Sequence, residues 1–208
     1  MNASLSRRRI VQATGAALAS AALPALAQSG WPNRPIRIVV PYTAGGFTDQ
    51  MARLLTVGLQ KQLGQPVVIT PHPGEMARLV GVSTGVVQKD RPGVASRFAI
   101  DFGCVVVLKG HETVVATPEG EVFKNPTGNS GMATGGTGDV LSGLIGGLMA
   151  QGLNSTYAAV VGTYLHGLAG DIAAETKTER GLIARDVIEA IPQAWGRLEN
   201  TLKTSEGN

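Results

Sequence analysis

A glycine-rich segment at residues 125–143, NPTGNSGMATGGTGDVLSG, places a lone carboxylate between a loop and an amphipathic helix. Apolar residues recur at helical spacing after Asp139, which lies where the helix is predicted to begin. The first turn of a helix leaves backbone N–H groups unpaired and carries the positive end of the helix dipole, so phosphate groups bind there. The segment therefore predicts an anion hole, formed by the backbone N–H groups of Gly136, Thr137 and Gly138.

Asp139 has two interpretations on local grounds. Beside a bound phosphate, its carboxylate could take the proton of a hydroxyl group as that hydroxyl attacks phosphorus. Aspartate is also a favoured capping residue, and in that case Asp139 only caps its helix. A glycine-rich turn followed by one aspartate leaves both interpretations open.

The longer string at residues 131–152, GMATGGTGDVLSGLIGGLMAQG, closely resembles the signature of the ADP- or ATP-dependent NAD(P)H-hydrate dehydratases. These enzymes belong to the ribokinase-like superfamily, which the short GTGD string alone would indicate. The resemblance implies a lyase that dehydrates the S epimer of hydrated NAD(P)H while ADP becomes AMP and phosphate. It also implies that Asp139 is the catalytic base and contacts the hydrated nucleotide, so the partners are two small molecules.

His72 lies in the string TPHPGE, which resembles a second landmark of the dehydratases. In that family the histidine contacts the hydrated nicotinamide nucleotide. The residue follows a predicted strand end, where ligands of open α/β sheets gather, and two flanking prolines would hold its ring rigidly. The alternative is a loop histidine without a ligand.

A third segment resembles the loop through which the family binds its adenine nucleotide. It consists of Lys109, Gly110, His111, Glu112 and Thr113, and Gly138 is expected to contact the same nucleotide. A lysine at the end of a buried strand can reach a phosphate as a compact charge. His111 and Glu112 replace residues that are usually small in the family, and a solvated loop tip is expected for both.

Five other residues receive structural interpretations. Glu75 is expected to be a helix-start carboxylate, His166 a core histidine, and Cys104 a buried thiol without reactivity, while Asp171 and Arg180 are solvated or make packing contacts. Three histidines without clustered Cys, Asp or Glu predict no metal site built by the protein. Magnesium would arrive with the nucleotide.

Composition indicates a globular α/β protein. The chain has 208 residues, 43% of them hydrophobic and 4% aromatic, with 28 glycines. The net charge of +3 combines a basic first third with an acidic remainder. Basic residues are not clustered with aromatic ones, so nucleic-acid binding is not expected.

The amino-terminal third has a different character from the rest. Residues 1–27 are predicted to be a twin-arginine export leader, because three arginines precede a small-residue apolar stretch and an Ala-Leu-Ala site. An amphipathic helix of the folded protein is the alternative. Residues 28–68 resemble the amino terminus of tricarboxylate-transport solute receptors, in the string WPNRPIRIVVPYTAGGFTDQMARLLTVGLQKQLGQPVV. Residues 69–208 then form the carboxyl-terminal part of the dehydratase domain, which makes the chain a fusion.

Periodicity predicts alternating strands and helices, and hence a ribokinase-like parallel sheet with helices on both faces, whose first part is replaced by one foreign βαβ unit. The predicted strands are Ile36–Val40, Val67–Ile69, Val105–Leu108 and a hairpin over 113–117 and 122–123. The predicted helices cover about 48–63, 92–102, 139–150, 155–175 and 184–197, with Gly152 as a stop signal.

The missing first part of the dehydratase domain has consequences. A shortened sheet exposes an edge and removes part of the pocket, so we expect weak turnover and association into a homo-oligomer that covers the edge. The rival functions are a periplasmic receptor for a small carboxylate, a ribokinase-like vitamin or sugar kinase, and an inactive fusion. The leader indicates the periplasm, whereas the nucleotide chemistry indicates the cytoplasm. After removal of the leader, no membrane association is expected.

Overall fold

The structure is a computed structural model that describes residues 67–206, all of them within one compact unit, Arg34–Asn208. The predicted leader and the first strand and helix of the receptor-like segment lie outside the described residues. The described elements follow in chain order: β1 (Val68–Ile69), α1 (Pro73–Val80), α2 (Thr84–Lys89), α3 (Arg91–Phe102), β2 (Val105–Leu108), β3 (Val114–Ala116), β4 (Val122–Lys124), a 3₁₀ turn (Ser130–Met132), α4 (Thr137–Ala150), α5 (Ser155–Gly181) and α6 (Ala184–Glu206).

The four described strands form one mixed sheet in the order β1-β2-β3-β4. β1 runs parallel to β2, whereas β2, β3 and β4 are antiparallel in turn. The expected parallel arrangement therefore holds for one pair only. Parallel strands need a long crossover, and the links at residues 109–113 and 117–121 are too short for one. The predicted hairpin is confirmed and forms the antiparallel side of the sheet.

Helices cover both faces of the sheet, as predicted. On one face α1, α2 and α3 pack against Val106 and Leu108 of β2. On the other face α4 and α5 pack against Val105 and Val107 of the same strand. All four residues of β2 are buried, which explains why this strand is an unbroken apolar run and not an alternating pattern. Burying each of these side chains stabilises the fold by about 1.5–3 kcal/mol.

α1 was expected only as a helical turn beginning at Glu75, and α2 was not predicted. The other helices follow the predicted boundaries with three differences. α4 begins two residues earlier than expected, at Thr137, and ends before Gly152, which has a φ of 101°. α5 extends to Gly181, although Thr178 has non-helical backbone angles that interrupt it. α6 continues to Glu206, beyond the predicted end at residue 197. The extension of α5 is polar and exposed, so apolar periodicity gave no signal for it, whereas Leu198 in the extension of α6 packs against the core and continues the apolar spacing of that helix.

The segment from Asn125 to Gly131 is fastened to α5. The Asn125 side chain donates to the carbonyl oxygen of Thr163 at 3.3 Å, and the Thr127 hydroxyl donates to that of Tyr164 at 2.8 Å. Asp171 accepts from the backbone N–H of Gly128 at 2.8 Å. The prediction of a packing contact for Asp171 is therefore confirmed, and the approach to the glycine loop is fixed by buried polar contacts.

Candidate active site

The candidate site lies where β1 and β2 end and α4 begins. Parallel strands bring their carboxyl ends to the same edge, so the residues after Ile69 and after Leu108 meet there. The start of α4 is joined to this edge by a hydrogen bond of 3.2 Å between the hydroxyls of Thr70 and Ser142. Ser142 also donates to the carbonyl oxygen of Gly138 at 3.0 Å. Three segments that are distant in sequence therefore share one site.

The glycine loop delivers an uncapped helix start to this site. Gly136 is the residue before the first turn of α4, and its φ of 90° is a conformation that glycine adopts without strain. No side chain caps the helix there. The Thr137 hydroxyl donates to the carbonyl oxygens of Met132 and Thr134, at 2.7 and 2.9 Å, and closes the loop. The N–H groups of Thr137 and Gly138 and the positive end of the dipole face the site where an anion would bind.

Asp139 is the third residue of α4 and is exposed. Its backbone N–H donates to the carbonyl oxygen of Gly136 at 3.0 Å, as expected for a residue inside the first turn. The capping interpretation is therefore wrong, because the cap position belongs to Gly136. Within residues 67–206, no side-chain hydrogen bond or ion pair is found for this carboxylate, which leaves it accessible to a ligand at the helix start.

Lys109 brings a positive charge to the same place. Its backbone N–H donates to the carbonyl oxygen of Pro71 at 2.8 Å, which fixes the residue at the end of β2. Its Nζ lies 3.8 Å from Oε2 of Glu75 and 3.2 Å from the position that a Cβ on Gly138 would occupy. Glu75 partly offsets the charge of the ammonium group, which lies beside the positive end of the helix dipole. A phosphate bound at the helix start would come within reach of the same ammonium group, so the arrangement suits an anionic ligand.

Glu75 connects Lys109 to His72. Its side chain is 1% exposed, and Oε2 accepts the backbone N–H of His72 at 2.6 Å. In return, Nδ1 of His72 accepts the backbone N–H groups of Gly74 and Glu75 at 3.0 and 3.3 Å. The predicted helix-start position of Glu75 is confirmed. The buried carboxylate has a second task that the sequence did not reveal, because it also faces the lysine.

His72 is the N-cap of α1, a role for which histidine is uncommon, and sequence reasoning therefore missed it. Because Nδ1 accepts hydrogen bonds, the neutral ring carries its proton on Nε2. The side chain is 42% exposed at the same sheet edge as Lys109. The ring is thus held in one orientation at this edge, and its Nε2 lies 3.5 Å from Oε1 of Glu75.

His166 lies on α5 and is buried, as predicted for a core histidine. Its Nε2 is 2.9 Å from the carbonyl oxygen of Thr137, and a carbonyl oxygen only accepts, so Nε2–H is the donor. Burial, with Lys109 nearby, lowers the pKa of His166 to about 4, although the hydrogen bond to Thr137 opposes the shift. This neutral histidine anchors the first residue of α4.

The loop at residues 109–113 is exposed at its tip, where His111 and Glu112 are solvated as expected. Arg91, which sequence reasoning missed, donates to the carbonyl oxygens of Leu108 at 3.2 Å and Glu112 at 3.1 Å, and also to that of His111. A positive residue at the first position of a helix, such as Arg91 in α3, is electrostatically unfavourable. That misfit is the signal in the sequence that could have identified it.

Two residues remain for which the sequence predicted no chemical role, Cys104 and Arg180. Cys104 is buried, and burial raises the pKa of its thiol to about 12, so the expectation of an unreactive thiol is confirmed. Arg180 is exposed.

Within the described range, no group of three or more His, Cys, Asp or Glu residues could hold a metal ion. No helix in that same range is long and apolar enough to span a bilayer.

Comparison with known proteins identifies the family to which this site belongs. The family model for NAD(P)H-hydrate dehydratase matches residues 46–193. The chain belongs to the NAD(P)H-hydrate dehydratase family. The match begins upstream of residue 69, where the dehydratase segment was predicted to start.

Individual members of the family agree with this assignment. An ADP-dependent (S)-NAD(P)H-hydrate dehydratase of Neisseria meningitidis is 43% identical over 156 residues, which cover 74% of this chain and 51% of that protein. A crystal structure of the ADP/ATP-dependent NAD(P)H-hydrate dehydratase of Bacillus subtilis, co-crystallised with ATP and Mg²⁺, is 39% identical with a TM-score of 0.62. It covers 64% of this chain and 49% of that one. The chain therefore spans about half the length of these relatives.

The ribokinase-like α/β fold is confirmed by these comparisons. A ribokinase-like superfamily protein of Enterococcus faecalis is 28% identical with a TM-score of 0.57, over 76% of this chain and 62% of that one. The elements shared with the dehydratase family include those that carry His72, Lys109 and Asp139, since all three residues lie inside the matched range. The residues predicted from the family motifs are thus brought to one edge of the sheet.

Proposed function

We propose that this chain performs the ADP-dependent dehydration of the S epimer of hydrated NAD(P)H, giving NAD(P)H, AMP and phosphate. The proposal covers the activity of the whole protein, of whose relatives this chain spans about half. The observation that carries it is the position of Lys109, whose Nζ stands against the uncapped start of α4 with Asp139 in its first turn. The ammonium group and the positive helix start can bind a phosphate, and the accessible carboxylate can take the proton of a hydroxyl that attacks that phosphate.

The proposed reaction assigns a role to each segment of the site. The terminal phosphate of ADP binds at the N–H groups of Gly136, Thr137 and Gly138, opposite Lys109. Asp139 accepts the proton of the C6 hydroxyl while the hydroxyl oxygen attacks the terminal phosphorus and AMP leaves. Phosphate then departs from C6 with the bonding electron pair while the adjacent ring carbon loses a proton to solvent, and the ring double bond is restored.

The remaining predicted residues bind the two nucleotides. His72 orients the hydrated nicotinamide from its fixed position at the N-cap of α1, and the loop of residues 109–113 holds the adenosine part of ADP. Mg²⁺ bound with the nucleotide would neutralise charge on the phosphates. Because no protein-built metal cluster occurs among residues 67–206, phosphate oxygens and water would supply most ligands of that ion.

Asp139→Asn tests the proposal most simply. The purified chain is assayed with hydrated NADH and ADP by the return of reduced-nicotinamide absorbance, and we expect weak turnover in the wild type and none in Asp139→Asn. Asp101→Asn, at an exposed position of α3, is the matched control and should keep the wild-type rate. A near-normal rate in Asp139→Asn, with an unchanged melting temperature, would remove Asp139 from the role of base.

Two ligands separate the rival functions. ADP should raise the melting temperature of a dehydratase, whereas a dicarboxylate should raise that of a solute receptor. Phosphorylation of a vitamin alcohol, with no return of NADH, would indicate a kinase. We also propose that the chain forms a homo-oligomer, which light scattering after gel filtration would detect.

The origin of the amino-terminal third stays a prediction. We propose that residues 1–27 are a leader and that residues 28–68 derive from a solute receptor, although the family match already begins at residue 46. Mass spectrometry of the protein purified from cells tests the leader, since cleavage after residue 27 would place the mature chain outside the cytoplasm.

A further inference from the structure

Arg91 makes an unusual set of contacts with the loop between β2 and β3. Its guanidinium donates to three carbonyl groups within five residues, those of Leu108, His111 and Glu112. Nη2 is 3.2 Å from the oxygen of Leu108 and 3.1 Å from that of Glu112. The planar, fork-shaped guanidinium group suits this task because it can direct several donors at once, whereas a lysine has one point charge.

The loop has a backbone that needs such support. Gly110 has a φ of 143°, and a Cβ at that position would lie 3.1 Å from Cζ of Arg91. Glu112 has a φ of 50°, which is unfavourable for a residue with a side chain. A hydrogen bond of 3.0 Å within the loop joins the Thr113 hydroxyl to the carbonyl oxygen of Gly110. Arg91 therefore holds a strained, exposed segment in one conformation.

We propose that Arg91 is a positioning residue that preorganises residues 109–113 to receive a nucleoside diphosphate. This inference rests on the proposed function, because that function gives the loop its ligand. Arg91 acts through the loop backbone and through the direction in which Lys109 leaves β2. A loop that is ordered before binding loses less conformational entropy when the nucleotide arrives, so affinity rises without an additional contact.

Two variants of Arg91 and one control test this role. Arg91→Ala removes the three hydrogen bonds, and Arg91→Lys keeps the charge but loses the fork. Arg97→Ala, on the same helix, removes an exposed arginine whose guanidinium donates to the carboxylate of Asp90 at 3.3 Å. For each protein, calorimetry measures the Kd of ADP, and hydrogen exchange with mass spectrometry measures the protection of the peptide covering residues 109–113.

We expect roughly tenfold weaker ADP binding in Arg91→Ala, the loss associated with hydrogen bonds to a charged group. Arg91→Lys should recover little of this loss, and Arg97→Ala should bind ADP as the wild type does. Exchange should increase in the loop peptide of both Arg91 variants, while the amides of α4 and α5 keep their protection. That local pattern distinguishes positioning from a general loss of stability, which would accelerate exchange throughout the protein.

The possible failures are distinguishable. A wild-type chain that does not bind ADP would refute the proposed function and this inference together. If the wild type binds ADP and Arg91→Lys binds it equally tightly, the inference about Arg91 is refuted while the proposed function stands. Unchanged exchange in the loop peptide of Arg91→Ala would refute it as well, and so would faster exchange spread evenly over the chain.

Discussion

Replacing Gly138 by alanine puts a methyl group between Lys109 and the start of α4. The new Cβ would lie 3.2 Å from Nζ of Lys109, closer than ordinary contacts of about 4 Å. The ammonium group is the far end of a flexible side chain, so it can move away by about 0.8 Å and restore an ordinary contact distance. The backbone of Gly138 is part of α4 and has no positive φ, so alanine itself fits there.

The two expected effects of Gly138→Ala have opposite signs. Alanine in place of glycine stabilises a helix by up to about 1 kcal/mol, so the free energy of unfolding should stay equal or rise. For a lysine and a phosphate charge about 4 Å apart at an effective dielectric constant near 20, a further 0.8 Å costs about 0.7 kcal/mol. The Kd of ADP should therefore increase roughly threefold, and more if the methyl group also obstructs the phosphate.

Gly147→Ala is the matched control because Gly147 lies on the same helix and has open space where its Cβ would be. It should give the stabilisation of the helix without the loss of affinity. Urea unfolding measures stability and isothermal calorimetry measures the Kd of ADP for the wild type and both variants. ADP binding by Gly138→Ala that equals that of Gly147→Ala would refute the placement of Lys109 opposite the bound phosphate.

Two further predictions concern stability. The fold favours the neutral form of His166, whose pKa is about 4 against an ordinary value near 6.5. The contribution of this residue to the free energy of unfolding is therefore complete above pH 6.5 and declines as the pH falls towards 4. Urea unfolding should show a loss of about 3 kcal/mol over this interval, and His166→Gln should remove that part of the pH dependence. Gly167→Ala would place a Cβ 2.7 Å from backbone atoms of Thr127, so the free energy of unfolding should fall by about 1–3 kcal/mol. The melting temperature of Gly167→Ala should therefore lie clearly below that of Gly147→Ala. Equal melting temperatures would contradict the close packing of α5 against the segment at residues 125–131.

The sequence predicted the fold where apolar periodicity was continuous. The run at residues 105–108 is buried on both faces and was correctly assigned to a strand, and the helix after the glycine loop was correctly placed. The mixed character of the sheet follows from the short links at residues 109–113 and 117–121, because a parallel pair needs a longer crossover. The extension of α6 to Glu206 was missed although Leu198 continues its apolar spacing, because most residues after Leu198 are polar.

The site was predicted through motifs, and the contacts that support it were not. Asp139, Lys109 and His72 come from strings that are specific to the family. The buried carboxylate of Glu75 and the three carbonyl contacts of Arg91 depend on segments that meet only in the folded chain. No local pattern shows which side chains will face each other across two strand ends.

A crystal structure of the chain with ADP would show where the phosphates bind. We expect the terminal phosphate to lie within hydrogen-bonding distance of the N–H groups at the start of α4 and of Nζ of Lys109, with the carboxylate of Asp139 beside it. ADP bound elsewhere, with its phosphates away from Gly138, would refute the proposed site.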